Sequence, residues 1–124
     1  LDDVAARYKV DRDRVSVTDL SLGGFGTWSL AAYAPERFAA IVPICGGGEA
    51  YWTKRLPHVA AWVFHGARDE GVPLRRSQEM VEALMKNGGN VRFTIYPDAP
   101  HDSWTATYDN PELYTWILAQ RRHK

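Results

Sequence analysis

Cysteine is nearly absent: Cys45 is the single one in 124 residues. One thiol excludes an internal disulfide and a metal site built on cysteines. An excess of either charge is absent as well. Lys plus Arg and Asp plus Glu each total 15, for a formal net charge of +0. That balance leaves no electrostatic footprint for DNA, RNA or an anionic membrane, and neither nucleic acid nor membrane is expected as a partner. No apolar run approaches the roughly 20 residues that span a bilayer. No segment joins a charged start, an apolar centre and a small-residue end as a signal peptide does. The chain opens on Leu1 rather than Met, so an upstream part is expected to be missing. The compartment, cytoplasmic or secreted, therefore stays open. Internal repeats and low-complexity segments are lacking too.

What is present fits an ordinary globular domain. The apolar share is 45% against 24% charged residues, and the length suits one domain, residues 1–124, rather than two. Val4, Ala5 and Tyr8 sit at helical spacing, so the chain opens in or at a helix. Residues 15–18 (Val-Ser-Val-Thr) read as a strand rich in β-branched side chains. Glycines interrupt the chain at 23, 24 and 26, and an Ala-rich stretch over 27–34 reads as a helix ended by Pro35. Further apolar runs at 40–45 and 59–64 and a strand at 91–96 follow, stopped by Gly46-Gly47-Gly48, His65-Gly66 and Pro97 respectively. Residues 74–87 form an amphipathic helix, with Met80, Val81, Leu84 and Met85 on one face and Gly88-Gly89 behind it. Asn110-Pro111-Glu112 marks another helix start, with a capping side chain, a proline in the first turn and an acid. A basic tail, Arg121 to Lys124, closes the chain.

Near-continuous apolar strands joined by helices predict an α/β fold: a parallel sheet of about four strands flanked by helices. In such a sheet the strand C-terminal ends share one edge, where ligands bind. Ser21 follows the first strand, Asp69 the third and His101 the fourth. The topology would therefore gather three distant residues. A serine hydroxyl needs a base within reach to act as a nucleophile. A histidine base needs a carboxylate to fix its tautomer and balance its charge. The run Asp19-Leu20-Ser21-Leu22-Gly23-Gly24-Phe25-Gly26 has the strand–turn–helix setting of a nucleophile elbow. There the Leu22 amide would supply an oxyanion donor. Ser21, Asp69 and His101 are thus the candidate nucleophile, acid and base. Rivals for the acid are Glu70, Asp98 and Asp102. Ser16, Ser29, Ser77 and Ser103 read as ordinary strand, helix or loop residues. His65 reads as a structural turn residue, His58 and His123 lack supporting context, and Cys45 reads as a small buried apolar residue. Gly46 and Gly47 are expected to leave room along a substrate cleft. Trp104 is expected either to wall that cleft or to pack in the core.

These motifs, with Pro35-Glu36-Arg37-Phe38, His65-Gly66-Ala67-Arg68-Asp69 and His101-Asp102-Ser103-Trp104, resemble the phospholipase/carboxylesterase group of α/β-hydrolases. That group is related to acyl-protein thioesterases and to esterases once labelled predicted peptidases. The resemblance covers essentially the whole chain and is to the C-terminal half of the catalytic domain. It implies ester hydrolysis through an acyl-enzyme, with no cofactor. A small or short-acyl ester is expected as substrate, since the sequence shows no large lid segment, and no metal is expected.

Two departures stand out. Asp19 replaces the first glycine of the elbow, where a charged side chain threatens close packing or needs a polar partner. The part of the domain that carries further strands and a second oxyanion amide is not in this sequence. The strand at 15–18 would then be an open edge, an association hazard, so a homodimer or larger assembly through that edge is expected. The alternative reading is a catalytically silent module that acts through such assembly.

Overall fold

The computed structural model describes residues 1–122, so His123 and Lys124 of the basic tail lie outside the described residues. Four strands, β1 (Ser16–Leu20), β2 (Ala40–Ile44), β3 (Ala60–Gly66) and β4 (Val91–Tyr96), form one sheet in the order β1-β2-β3-β4. All three pairings are parallel. The helices are α1 (Asp2–Arg7), α2 (Leu22–Tyr33), α3 (Arg75–Lys86), α4 (Trp104–Tyr108) and α5 (Pro111–Ala119). The chain is therefore a four-stranded parallel α/β sheet flanked by helices. Among the described residues no helix is long and apolar enough to cross a membrane.

Side chains alternate across the pleat, so each central strand feeds two cores. Ile41, Ala61 and Val63 pack with Trp28, Met80, Val81 and Leu84 on the α2–α3 face. Val42, Ile44, Trp62 and Phe64 pack with Leu113 on the opposite face, against which Trp104, Tyr108 and Trp116 also lie. β2 and β3 are buried along their whole length, which is why they read as unbroken apolar runs.

Three boundaries and one added helix differ from the sequence reading, and they bear on the site. β1 extends through Asp19 and Leu20, so it ends directly against Ser21. α2 starts at Leu22 rather than at 27, taking Gly23, Gly24 and Gly26 into the helix. Packing explains this at Gly24, whereas a Cβ on Gly26 would meet open space. A Cβ on Gly24 would lie 2.6 Å from the Ile44 carbonyl oxygen, and one on Gly46 would lie 2.6 Å from the Gly24 carbonyl carbon. The helix start and the end of β2 touch backbone to backbone, which outweighs the poor helix propensity of glycine. β3 runs through His65 and Gly66, so His65 is a buried strand residue, not a turn residue. The short helix α4 was not foreseen; the Thr107 hydroxyl donates to the Ser103 carbonyl within it at 2.8 Å.

Candidate active site

Ser21 sits at the β1–α2 junction with φ 55° and ψ −121°, a backbone conformation costly for a residue with a Cβ. Its surroundings hold it there. The Ser21 amide donates to the Ile44 carbonyl at 2.9 Å and faces the Cys45 Sγ at 3.3 Å. The Ser21 carbonyl accepts from the Gly24 and Phe25 amides at 2.9 and 3.1 Å. The Leu22 amide is the first of α2, where the helix itself supplies no acceptor. It is therefore available beside the serine, at the end of the helix that favours negative charge.

Asp69 lies in the turn after β3, with its side chain fully enclosed. Its Oδ1 accepts from the Gly71 and Val72 amides at 2.9 and 2.8 Å. Its Oδ2 lies 2.7 Å from His101 Nδ1. A carboxylate only accepts, so Nδ1 carries the proton and Nε2 is the acceptor. His101 Nε2 lies 2.9 Å from Ser21 Oγ, which donates to it. The three residues that the topology was expected to gather thus form one continuous line of hydrogen bonds. The rivals do not join it. Asp98 faces Arg68 at the surface at 3.5 Å. Asp102 accepts from the amide and hydroxyl of Thr105.

His101 reaches Asp69 because Gly66 lets the preceding loop pass. A Cβ on Gly66 would lie 2.3 Å from the Pro100 carbonyl oxygen and 2.4 Å from that of Ala99. The Arg68 amide then donates to the Ala99 carbonyl at 3.0 Å. The Trp104 ring meets the His101 ring edge-to-face at 5.5 Å, and the same tryptophan packs on the second core. It walls the site and fills the core at once. His101 keeps 34% of its side chain exposed, so a solvent-borne molecule can reach the base.

Gly46 and Gly47 do not open a cleft. Both are buried, and the space beside them is taken by Gly24 and by Phe25 and Arg76. They permit close packing of α2 and α3 on the end of β2. Leu22 is instead the exposed apolar side chain next to the serine, at 85%. Its exposure follows from the elbow, which turns the residue after Ser21 outward.

Cys45, Asp69 and His101 bring ligand-type atoms within 4.8 Å of one another. This donor set suits a metal poorly. Burial pushes the Cys45 thiol up from its ordinary value, away from the thiolate a metal needs. Asp69 and His101 are already bonded to each other.

A strand-ending serine on a helix start, joined through a histidine to a buried acid above a parallel sheet, defines the chain as an α/β-hydrolase-superfamily protein. Within that class it belongs to the dienelactone hydrolase family, whose model matches residues 1–114. The crystal structure of a thermostable esterase superposes with a TM-score of 0.93 at 39% identity, over 98% of this chain and 35% of that one. A Methylorubrum extorquens protein assigned as a carboxymethylenebutenolidase is 30% identical over 102 residues, 75% of this chain and 35% of that protein. Poly(3-hydroxyalkanoate) depolymerase C of Paucimonas lemoignei is 45% identical over 47 residues, 38% of this chain and 11% of the depolymerase. The chain thus spans about a third, or less, of the length of these relatives.

Proposed function

We propose that the chain carries the reacting groups of a serine carboxylesterase for small or short-acyl esters. The observation that supports this reading is the line Ser21 Oγ–His101 Nε2 at 2.9 Å and His101 Nδ1–Asp69 Oδ2 at 2.7 Å. Ser21 Oγ attacks the ester carbonyl carbon while its proton passes to His101 Nε2. Asp69 holds the ring in the Nδ1–H tautomer and balances the charge that forms on it. The Leu22 amide faces the developing oxyanion. His101 returns the proton to the leaving alcohol, and an acyl-serine remains. Water then repeats the sequence and releases the acid. An ester is the natural class, because the thermostable esterase, at 39% identity over 98% of this chain, is named for ester chemistry.

A second oxyanion donor is left to a segment or copy beyond the described residues. This gives weight to the alternative, a silent module that works by assembly. β1 pairs only with β2 among the described residues, so we propose that its other edge pairs with a second copy.

Hydrolysis of p-nitrophenyl butyrate by the purified chain, with Ser21→Ala beside it, tests the main reading. Turnover that vanishes in Ser21→Ala is the expected result. Equal background rates in both proteins would favour the assembly reading.

A further inference from the structure

We infer that His65 is a positioning residue for Asp69, holding the acid's loop and carboxylate from beneath; this rests on the proposed roles of Ser21, His101 and Asp69. His65 is completely buried at the end of β3, four residues before Asp69. Both of its ring nitrogens are engaged. Nε2 lies 2.7 Å from the Val72 carbonyl oxygen and Nδ1 lies 2.7 Å from Ser77 Oγ. A carbonyl only accepts, so Nε2 carries the hydrogen, and Nδ1 accepts from the Ser77 hydroxyl. The same Nε2 lies 3.4 Å from Asp69 Oδ2.

The result is a closed circuit. The Val72 amide donates to Asp69 Oδ1, and the Val72 carbonyl accepts from His65. His65 is anchored in turn to α3 through Ser77. Asp69 Oδ2 therefore has two imidazoles facing it, His101 on the reacting side and His65 behind. Burial pushes the His65 ring below its ordinary pKa, so it stays neutral and its single N–H keeps one direction. A residue fixed in one tautomer, with that N–H aimed between the acid loop and the acid, orients the group that orients the base.

Two amide replacements separate the donor from the bulk. Gln places its terminal N–H near the position of Nε2, whereas Asn reaches only the position of Nδ1, leaves the Val72 carbonyl without this donor and removes the N–H behind Asp69. With p-nitrophenyl butyrate, kcat should fall about ten- to a hundredfold in His65→Asn at nearly unchanged KM. His65→Gln should stay within a few-fold of wild type. Ser21→Ala runs alongside, and turnover independent of Ser21 would overturn the functional reading rather than this one. The low-field proton resonance of His101 Nδ1–H then decides without any turnover. It should be sharp in wild type and His65→Gln, and broadened or displaced in His65→Asn. Should His65→Asn not fold, the ring nitrogen shifts of His65 in the wild-type chain report its tautomer, expected as Nε2–H at neutral pH. An unchanged kcat and resonance in His65→Asn would overturn the inference. So would equal losses in both variants that track their Tm, or an Nδ1–H tautomer in the wild-type chain.

Discussion

The Asp19 carboxylate occupies the space that a side chain at Gly23 would need. A Cβ on Gly23 would stand 2.1 Å from Asp19 Cγ and 2.2 Å from its Oδ2. Asp19 is exposed, on the outermost strand, and its Oδ1 accepts from the Leu20 amide at 2.7 Å. The acid that breaks the elbow pattern thus harms no core packing. It lies over the first turn of α2, where a helix start favours negative charge, and the missing Cβ of Gly23 makes room for it.

This relationship predicts a coupling between the two positions. Gly23→Ala should destabilise the wild-type chain by about 0.5–1.5 kcal/mol, since the Asp19 side chain must rotate out of its place and give up its bond to the Leu20 amide. In an Asp19→Gly background the same change should be neutral or stabilising, because alanine is preferred to glycine in a helix by up to about 1 kcal/mol. Urea unfolding of the four proteins of this cycle measures it. Simple additivity would contradict the coupling.

Gly66 carries a harsher constraint. The atoms that a Cβ would strike are backbone oxygens of Ala99 and Pro100, which cannot rotate away. Gly66→Ala should therefore shift the loop that carries His101 and cost about 1–3 kcal/mol. Esterase activity, if it depends on Ser21, should fall by at least about tenfold as His101 leaves its hydrogen bonds. A variant with normal activity and normal Tm would show that the loop is held from elsewhere.

His65 also sets an expectation for pH. Burial, the largest effect, lowers its pKa below 6.5, with nearby His101 acting the same way; the Val72 carbonyl and Asp69 act against them. The unfolded chain takes up this proton near pH 6.5 while the folded chain refuses it. Below that pH the unfolded state binds more protons, so stability falls as pH falls, by up to about 1.4 kcal/mol per pH unit. Above about pH 6.5 neither state is protonated there, and the contribution is flat. The other histidines and the carboxylates titrate too, so the difference between wild type and His65→Gln isolates this one. Unfolding free energies of both from about pH 5 to about pH 7.5 should diverge only on the acid side. Parallel curves would mean that the buried ring takes up its proton without penalty.

The parts of this fold that could be read from the sequence are those whose cause is local. β2 and β3 are continuous apolar runs because both faces are covered, and α5 announces itself through Asn110, whose side chain accepts from the Glu112 amide at 3.0 Å. Ser21, Asp69 and His101 could be assigned to one edge because each follows a strand of a parallel sheet. The misreadings come from contacts between distant segments. Gly24, which argues against a helix start, is required there by the backbone of Ile44 and Gly46, and Gly23 makes room for the Asp19 side chain. Gly46 and Gly47 look like open space in sequence, yet α2 and α3 fill it. His65-Gly66 looks like a turn, but the partners that bury the histidine are Val72 and Ser77, later in the chain. The harmlessness of Asp19 depends on which strand is outermost, and a sequence does not state that.

That outer position leads to the last expectation. Beside β1 lies a mainly apolar groove lined by Val15, Val17, Leu30, Tyr33 and Phe38, with Leu1 and the charged Arg37 at its wall, and Tyr33 is 82% exposed. Strand edges of this kind pair with other chains unless charge or a bulge prevents it. Asp19 is the one charged side chain on β1, and it stands near the C-terminal end of the strand rather than at its middle. We therefore expect the chain to self-associate through β1, with Tyr33 and Leu30 against the partner. Sedimentation equilibrium should give a dimer at tens of micromolar. Tyr33→Glu should give a monomer of unchanged helix content, because Tyr33 contributes little to the core of its own chain. A wild-type chain that stays monomeric at those concentrations would contradict pairing through this edge.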